Sequence, residues 1–204
     1  MNLRKLYNEL SKKYSDNVSP TMSFVTFTDK GSAHTYIEFY EKYFDTKKGQ
    51  HINLLEIGLM SGGSLYLWKK YFKKYSIVGV DLAKTWYKPR PFQPELESDA
   101  NIKLLFQVDS RRSAIPKEVT EMKFDFIIDD ANHNVKPQIA TTENYWQFVK
   151  AGGTYFIEDV LGERHARMLI RELENFSQEK FTYEIYRGNP KRLDDRILAI
   201  TKVI

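Results

Sequence analysis

Five short apolar runs between positions 52 and 159 constrain the fold of this chain more than any other feature. They are rich in β-branched and aromatic residues, and most are separated by enough chain for a helix or a long loop. Near-continuous apolarity is typical of parallel strands that are covered on both faces. The pattern therefore predicts an α/β fold with a doubly wound, mostly parallel sheet. The runs read INLLEIG, SIVGVD, IKLLFQVD, FDFIIDD and GTYFIED.

Helical patterns flank this central region on both sides. Segments 3–14 and 35–44 repeat apolar residues at helical spacing, and we interpret the tyrosines of the second segment as core residues. A further helix is predicted over 166–176. Two strands follow it, FTYEIYRG and RILAITKVI, and their short polar connection implies an antiparallel pair. The length of 204 residues and the lack of internal repeats predict one domain.

The composition excludes several classes of protein. The chain has no cysteine, which excludes disulfides, thiol catalysis and cysteine-based metal sites. Its net charge of +4 is spread over scattered pairs, so we expect no nucleic-acid partner. The sequence has neither a signal-peptide pattern nor a run of membrane-spanning length, so we expect a cytoplasmic protein without a membrane span. Whether it forms a homo-oligomer stays open.

Acidic residues mark the ends of the predicted strands. Asp81, Asp109, Asp130 and Asp159 end four of the five runs, and Glu56 lies near the end of the first. In open α/β sheets, ligands bind beside the carboxyl ends of the strands. The five carboxylates are therefore predicted to lie along one functional edge of the sheet.

The first run leads into a glycine-rich turn and then into a predicted helix. The turn contains Gly58, Gly62 and Gly63, and Ser64 follows at the start of the helix. Glycines allow a ligand to approach the backbone, and N–H groups at a helix start can bind its polar groups. The spacing fits neither the dinucleotide fingerprint nor the phosphate loop, so a plain strand-to-helix turn stays open. Asp81 lies about twenty residues on, where a carboxylate can bind both hydroxyls of a ribose.

The segment IIDDANHN, residues 127–134, places a histidine close to two adjacent carboxylates. Asp129 and Asp130 end an apolar run, where neighbouring carboxylates repel each other unless a cation or another partner compensates them. His133 follows three residues after Asp130. The alternative is a set of solvated loop carboxylates beside a surface histidine.

Together these motifs resemble the class I S-adenosylmethionine-dependent methyltransferases, and more narrowly the metal-dependent sugar O-methyltransferases of the macrolide and rhamnosyl type. The resemblance rests on TDKGSAHTYIEFYEKYF, LLEIGLMSGGSLYLW, IIDDANHN and GGTYFIEDV, which occur in that order within residues 28–160. It implies a seven-stranded, Rossmann-like sheet with an antiparallel last strand. It also implies an N-terminal helical cap over residues 1–50 and a catalytic core over 51–204. One departure is Ala131-Asn132, where the family commonly has Gly-Ser before the histidine.

Carried over by position, the resemblance implies a role for each motif. A divalent cation such as Mg²⁺ is expected on Asp130, Glu158 and Asp159, with His133 as the catalytic base and Asp130 beside it. The expected reaction moves a methyl group to a sugar hydroxyl of a small-molecule or glycan acceptor. The residues expected to bind S-adenosylmethionine are Lys30, Glu56, Gly58, Gly62, Gly63, Ser64, Asp81, Asp109 and Asp129.

Several alternatives stay open at this point. The chain could instead be a nicotinamide-dependent oxidoreductase, a catechol-type O-methyltransferase or a non-catalytic glycan-binding module. Lys30 and His34 precede the aromatic helix, so they either contact the cofactor from a lid or only start the helix. The insertion after Asp81 carries Trp86 and Tyr87, whose faces suit a sugar ring, although a packed surface loop explains them equally well.

Overall fold

The computed structural model describes residues 1–14 and 27–204, and its centre is a seven-stranded sheet. The strand order is β3-β2-β1-β4-β5-β7-β6. Pairs among the first five strands are parallel, whereas β7 runs antiparallel to both β5 and β6. The predicted fold class is therefore confirmed. The strands are β1 (His51–Ile57), β2 (Lys74–Asp81), β3 (Ile102–Phe106), β4 (Phe124–Asp129), β5 (Val149–Ile157), β6 (Phe181–Arg187) and β7 (Arg196–Lys202).

Helices cover both faces of the sheet. The helix predicted over 3–14 is confirmed, the one predicted over 35–44 begins two residues later, and the one predicted over 166–176 begins three residues earlier. Positions 15–26 of the predicted cap lie outside the described residues. Within the described ranges, no helix has the length and apolar character needed to cross a bilayer. The helices are α1 (Leu3–Tyr14), α2 (Ile37–Phe44), α3 (Gly63–Tyr71), α4 (Gln93–Glu97), α5 (Lys117–Thr120), α6 (Val135–Tyr145) and α7 (Glu163–Phe176).

The alternation of side chains along each strand divides the core into two halves. Leu54 and Ile128 belong to the half formed with α1, α2 and α3, whereas Leu55 and Ile127 belong to the half formed with α6 and α7. Glu56 follows Leu54 by two residues and therefore lies on the α3 side of β1. There the carboxylate is fully buried and accepts a hydrogen bond from the indole nitrogen of Trp68, an α3 residue, at 3.1 Å.

Two of the predicted strand-end acids lie two or more residues beyond the ends of their strands. Gln107 has φ +63°, which breaks the extended backbone, so β3 ends at Phe106 and Asp109 lies three residues beyond it. Asp159 has φ +54° and lies two residues beyond the end of β5. Both carboxylates still occupy the carboxyl edge of the sheet, but loop backbone rather than strand geometry directs them.

The insertion after β2 packs partly against the glycine-rich turn. Phe92 is buried and stacks on Tyr66, with ring centroids 5.0 Å apart. The ring of Trp86 lies against Gly62, so close that a Cβ on that glycine would fall 2.8 Å from it. Packing therefore accounts for these two aromatic residues, while Tyr87 is exposed.

Gly58 is the point where β1 meets the loop after β4. It has φ +93°, and a Cβ built on it would lie 2.2 Å from the carbonyl oxygen of Asp130. Gly162 has a similar φ of +96°, but a Cβ there would meet nothing within 4 Å. The two glycines thus share a positive φ and differ in their surroundings.

This pair of glycines separates backbone strain from steric contact. We expect Gly162→Ala to lower the free energy of unfolding by about 1–3 kcal/mol, since alanine strains this backbone. We expect Gly58→Ala to cost at least about 1 kcal/mol more, because the added methyl must displace the Asp130 backbone. Urea denaturation of both variants measures the difference. Equal losses of stability in the two variants would contradict the close approach of Gly58 to the backbone of Asp130.

Candidate active site

The carboxyl ends of three neighbouring strands bring four carboxylates together. Because β1, β4 and β5 are adjacent in the sheet, Glu56, Asp130 and Glu158 lie at one edge. Asp130 follows Ile128, and Glu158 follows Phe156, each by two residues. The two acids thus continue the strand face on which Glu56 lies. Asp159 joins the group from the loop after β5.

Lys30 lies at the centre of this group. It belongs to a single helical turn over residues 29–31, and its side chain is buried. Its Nζ lies 2.7 Å from Asp130 Oδ2, 2.6 Å from Glu158 Oε1 and 3.6 Å from Glu56 Oε1. One ammonium therefore compensates three carboxylates that otherwise repel each other.

Charge and burial oppose each other at these groups. Burial alone would lower the pKa of Lys30, but the charges of Asp130, Glu158 and Glu56 raise it well above its usual value. Burial raises the pKa of Glu56 to about 7. Burial also raises the pKa of Glu158 well above its usual value, and the charge of Asp130 adds to this effect. The buried Glu56 and Glu158 therefore depend most on a nearby positive charge to stay ionised.

Two tyrosine hydroxyls of the N-terminal segment complete this arrangement. Tyr40 donates a hydrogen bond to Glu158 Oε1 at 2.5 Å, and Tyr36 donates one to Asp159 Oδ1 at 2.7 Å. The sequence analysis interpreted these tyrosines as core residues, and their rings are indeed buried. Their function as hydrogen-bond donors was missed. Their separation of four residues, which places both on one helix face, was the signal that could have revealed it.

Asp195 is a second residue that the sequence analysis missed. It is buried in the loop between β6 and β7, where its carboxylate accepts hydrogen bonds from the backbone and the hydroxyl of Thr35, both at 3.0 Å. Its Oδ1 also lies 3.5 Å from His34 Nδ1, which is 3.6 Å from Asp159 Oδ1. The segment before α2 is thus tied both to the β6–β7 loop and to the acidic group.

Asp130, His133 and Asp159 form the group best arranged to hold a metal ion. One potential ligand atom from each lies within 4.8 Å of the others. His133 Nε2 is 3.5 Å from Asp130 Oδ1, and His133 Nδ1 is 3.0 Å from Asp159 Oδ2. The hydrogen bond to Asp130 is the main reason that the pKa of His133 is raised to about 9. Two carboxylates and an imidazole are a donor set that fits a divalent cation.

Glu158 occupies a different position from the other two predicted metal ligands. Its Oε1 accepts hydrogen bonds from Lys30 and Tyr40, and its side chain is 2% exposed, compared with 21% for Asp130. The predicted set of Asp130, Glu158 and Asp159 therefore converges in space, but one member faces the buried ammonium.

A cavity beside this group is lined by three of the nine residues predicted to bind the cofactor, together with Asp130. Gly58, Asp81, Asp109 and Asp130 all contribute to its wall. Asp81 Oδ2 accepts hydrogen bonds from the backbone N–H groups of the glycine-rich turn, at 2.7 and 3.3 Å. Asp109 is paired with Arg111, and that ion pair lowers the pKa of Asp109 to about 2.

A second cavity lies on the other side of Met60, between the glycine-rich turn and the N-terminal segment. Gly63 and Ser64 line one wall, and His34 lines the other. Two arginines that the sequence analysis did not single out, Arg90 and Arg192, also line it. The predicted cofactor residues Lys30, Glu56 and Asp129 have buried side chains that contribute to neither of these two cavities, and Gly62 lines neither of them.

Comparison with known proteins agrees with the fold and the motifs. No family model matches the chain. It is 27% identical over 142 residues to the 8-demethyl-8-alpha-L-rhamnosyl tetracenomycin-C 2'-O-methyltransferase of Streptomyces olivaceus, covering 65% of this chain and 35% of that protein. It is 28% identical over 143 residues to the mycinamicin VI 2''-O-methyltransferase of Micromonospora griseorubida, covering 66% of this chain and 34% of that protein. The chain thus spans about a third of the length of these curated relatives.

A solved structure supports the same fold. The MycE methyltransferase from the mycinamycin biosynthetic pathway, in complex with Mg, SAH and mycinamycin VI, matches with a TM-score of 0.69 and 18% identity. The match covers 100% of this chain and 55% of MycE. The chain therefore has the class I methyltransferase fold, and its sequence is similar to those of sugar O-methyltransferases.

Proposed function

We propose that this chain catalyses S-adenosylmethionine-dependent O-methylation of a sugar hydroxyl, with a divalent cation at the site. One observation carries the proposal: Asp130 belongs to both halves of the site. It lines the cavity that contains Gly58 and Asp81, and its other side faces His133 at 3.5 Å. A cofactor in that cavity would place its reactive group next to a base, and such proximity is the main requirement for group transfer.

The cofactor residues divide into three groups by position. Asp81 binds the ribose hydroxyls, Asp109 lies on the adenine side, and the turn of Gly58, Gly62 and Gly63 meets the amino-acid end together with Ser64. S-adenosylmethionine supplies, when bound, a methyl group already activated on a positively charged sulfur. The chain therefore has to position the acceptor and remove its proton.

Asp130 and Asp159, together with the neighbouring Glu158, are the residues that would hold the cation. A divalent cation bound there supplies Lewis acidity, which lowers the pKa of the acceptor hydroxyl. One oxygen of each carboxylate is already held by the protein. Asp130 Oδ2 pairs with Lys30 Nζ at 2.7 Å, and Asp159 Oδ1 accepts a hydrogen bond from the hydroxyl of Tyr36 at 2.7 Å. Their remaining oxygens, Oδ1 of Asp130 and Oδ2 of Asp159, are those that face His133.

His133 accepts the proton of the acceptor hydroxyl. Its side chain is 42% exposed, the most accessible of the three groups that face each other here, so an acceptor can reach it. Nδ1 lies 3.0 Å from Asp159 Oδ2, which orients the ring and leaves Nε2 to accept the proton. Asp130, beside Nε2, stabilises the imidazolium that results.

The N-terminal segment and the acceptor complete the proposal. The described positions within residues 1–50, which are 1–14 and 27–50, cap the core of residues 51–204, and His34 faces the glycine-rich turn across the second cavity. The acceptor is a sugar in a small molecule or a glycan, as the names of the two relatives suggest.

The alternative functions fit the chain less well. An oxidoreductase would need the dinucleotide glycine spacing, which this chain lacks, and a binding module has no need for a base beside a cofactor cavity. A catechol-type acceptor is distinguished by the assay below.

Methyl transfer to glycosides tests the proposal. We expect the protein to release S-adenosylhomocysteine when it is given S-adenosylmethionine, Mg²⁺ and rhamnosides or related deoxyhexosides, and to stop in excess chelator. Asp81→Ala should weaken calorimetric binding of S-adenosylhomocysteine about ten- to a hundredfold, the loss expected for a charged hydrogen-bond acceptor.

The same experiment separates the alternatives. If the folded protein bound NAD but not S-adenosylhomocysteine in calorimetry, the result would favour an oxidoreductase over a methyltransferase. Turnover of catechols in preference to glycosides would show that the acceptor is a catechol and not a sugar. Full activity in chelator would contradict the cation.

The function of His133 as a base is tested by substitution under saturating metal. We expect His133→Ala to fold, to bind S-adenosylhomocysteine nearly normally and to lose at least about a hundredfold in kcat, because general-base catalysis contributes roughly 10²–10⁴-fold. The rate of the parent protein should rise with pH as His133 loses its proton. The pKa of about 9 without a cation sets the upper end of that rise, since a nearby cation favours the neutral ring.

His51→Ala is the matched control for this substitution. His51 is exposed at the opposite end of β1 and contacts Ser76, so its loss should leave kcat unchanged. Recovery of the parental rate by His133→Ala at high Mg²⁺ would contradict the base and assign the histidine to metal binding.

A further inference from the structure

A buried histidine borders the second cavity. His34 is only 4% exposed, and within the part of the chain that the structure describes its Nδ1 has no hydrogen-bond partner. Nδ1 lies 3.6 Å from Asp159 Oδ1 and 3.5 Å from Asp195 Oδ1, which is longer than a normal hydrogen bond. Because Nδ1 is buried toward these carboxylates, the side of the ring that can border the cavity is the one that carries Nε2.

The imidazole of His34 is held in a fixed position. Its ring stacks on the ring of Tyr36, with centroids 4.7 Å apart. The backbone N–H of His34 donates a hydrogen bond to the carbonyl oxygen of Asp29 at 2.9 Å, and the carbonyl oxygen of Thr35 accepts one from the hydroxyl of Tyr186 at 2.8 Å. A side chain fixed in this way can bind a ligand at little cost in conformational entropy.

Arg192 places further hydrogen-bond donors at the same cavity. It extends from the loop between β6 and β7, and its side chain is 36% exposed. Its Nε and Nη2 donate hydrogen bonds to the carboxylate of Asp194 at 3.0 and 2.9 Å. A guanidinium carries five N–H groups, so donors are left for a ligand. The wall opposite the glycine-rich turn is therefore polar, with an imidazole nitrogen and a guanidinium.

This wall lies next to the proposed reaction site. Asp159 contacts both histidines, since its Oδ1 is 3.6 Å from His34 Nδ1 and its Oδ2 is 3.0 Å from His133 Nδ1. A sugar whose reacting hydroxyl lies at His133 therefore has its other hydroxyls close to His34. The cavity has a volume of about 250 Å³, below the roughly 300–1,000 Å³ of pockets for drug-sized ligands, which suits a single sugar ring.

We propose that the His34 side of the second cavity is a subsite for a second hydroxyl of the acceptor sugar, one that is not methylated. His34 Nε2 is its hydrogen-bond partner, and Arg192 offers N–H groups beside it. A hydroxyl both donates and accepts, so it pairs with the imidazole nitrogen in either state of the ring. The acceptor is then a sugar with neighbouring free hydroxyls, and His34 selects for it. The inference rests on the proposed methyl transfer to a sugar.

Deletion of single hydroxyls from the sugar tests the subsite. Methyl α-L-rhamnopyranoside and each of its monodeoxy analogues are titrated by ligand-observed NMR, with S-adenosylhomocysteine and Mg²⁺ present. We expect one analogue to bind the parent at least about fivefold more weakly than the rhamnoside, the loss expected for one hydrogen bond. In His34→Ala this ratio should fall to about twofold or less, because the partner of that hydroxyl is already gone.

Thr35→Val is the matched control. Thr35 belongs to the same segment and bonds Asp195 through its hydroxyl, but it does not line the cavity. We expect this variant to keep the fivefold ratio of the parent. If His34 only supported the fold, both variants would weaken binding of every analogue alike, and the ratio would stay unchanged in both.

The results that would overturn the subsite are distinct. A ratio in folded His34→Ala equal to that of the parent would contradict it. A loss of more than about tenfold in S-adenosylhomocysteine binding, with the sugar ratio unchanged, would make His34 a cofactor contact. His34→Phe keeps a ring to stack on Tyr36 but has no nitrogen, so it decides the question if His34→Ala does not fold.

The parent protein separates this inference from the proposed function. Binding of S-adenosylhomocysteine without binding of the rhamnoside would contradict the sugar subsite. Absence of both S-adenosylhomocysteine binding and methyl transfer would contradict the proposed function itself, and with it this inference.

Discussion

The ion pairs of Lys30 are the interaction on which the rest of the site depends. Three buried carboxylates at one edge of a sheet repel each other, and a single ammonium within 3.6 Å of all three offsets that repulsion. Because the ammonium comes from the N-terminal segment, the same contacts dock that segment onto the core. The position of the turn over residues 29–31 and the arrangement of the acidic group therefore depend on the same contacts, and the outward oxygens of Asp130 and Asp159 are left to act on ligands.

Much of this arrangement follows from two regularities that a sequence displays. Strand order places the ends of β1, β4 and β5 side by side, and the two-residue alternation of strands places Glu56, Asp130 and Glu158 on one face. The acidic strand ends were predicted from the apolar runs, the glycine-rich turn from its glycines, and the helices from apolar residues at helical spacing. Lys30 was singled out as well, but its pairing with these acids was not predicted, because it lies 100 residues from Asp130 and 128 from Glu158 in sequence. No local pattern reports a contact at that distance.

The backbone geometry of loop residues also escaped prediction, even where the residue itself had been singled out. Asp159 turns toward Tyr36 through a positive φ, a conformation that an aspartate adopts rarely and that no spacing rule indicates. Asp195 looked like an ordinary polar turn residue, yet it is buried and fixes Thr35. In each case the tertiary environment, and not residue type, decides whether the carboxylate is solvated or structural.

The central claim is that one acidic group is shared between a fixed ammonium and a divalent cation. Anomalous diffraction from crystals soaked in Mn²⁺ and S-adenosylhomocysteine tests it most directly. The account predicts one manganese peak at bonding distance from Asp130 and Asp159, beside the cavity that binds S-adenosylhomocysteine. The absence of a manganese peak at this acidic group would contradict it.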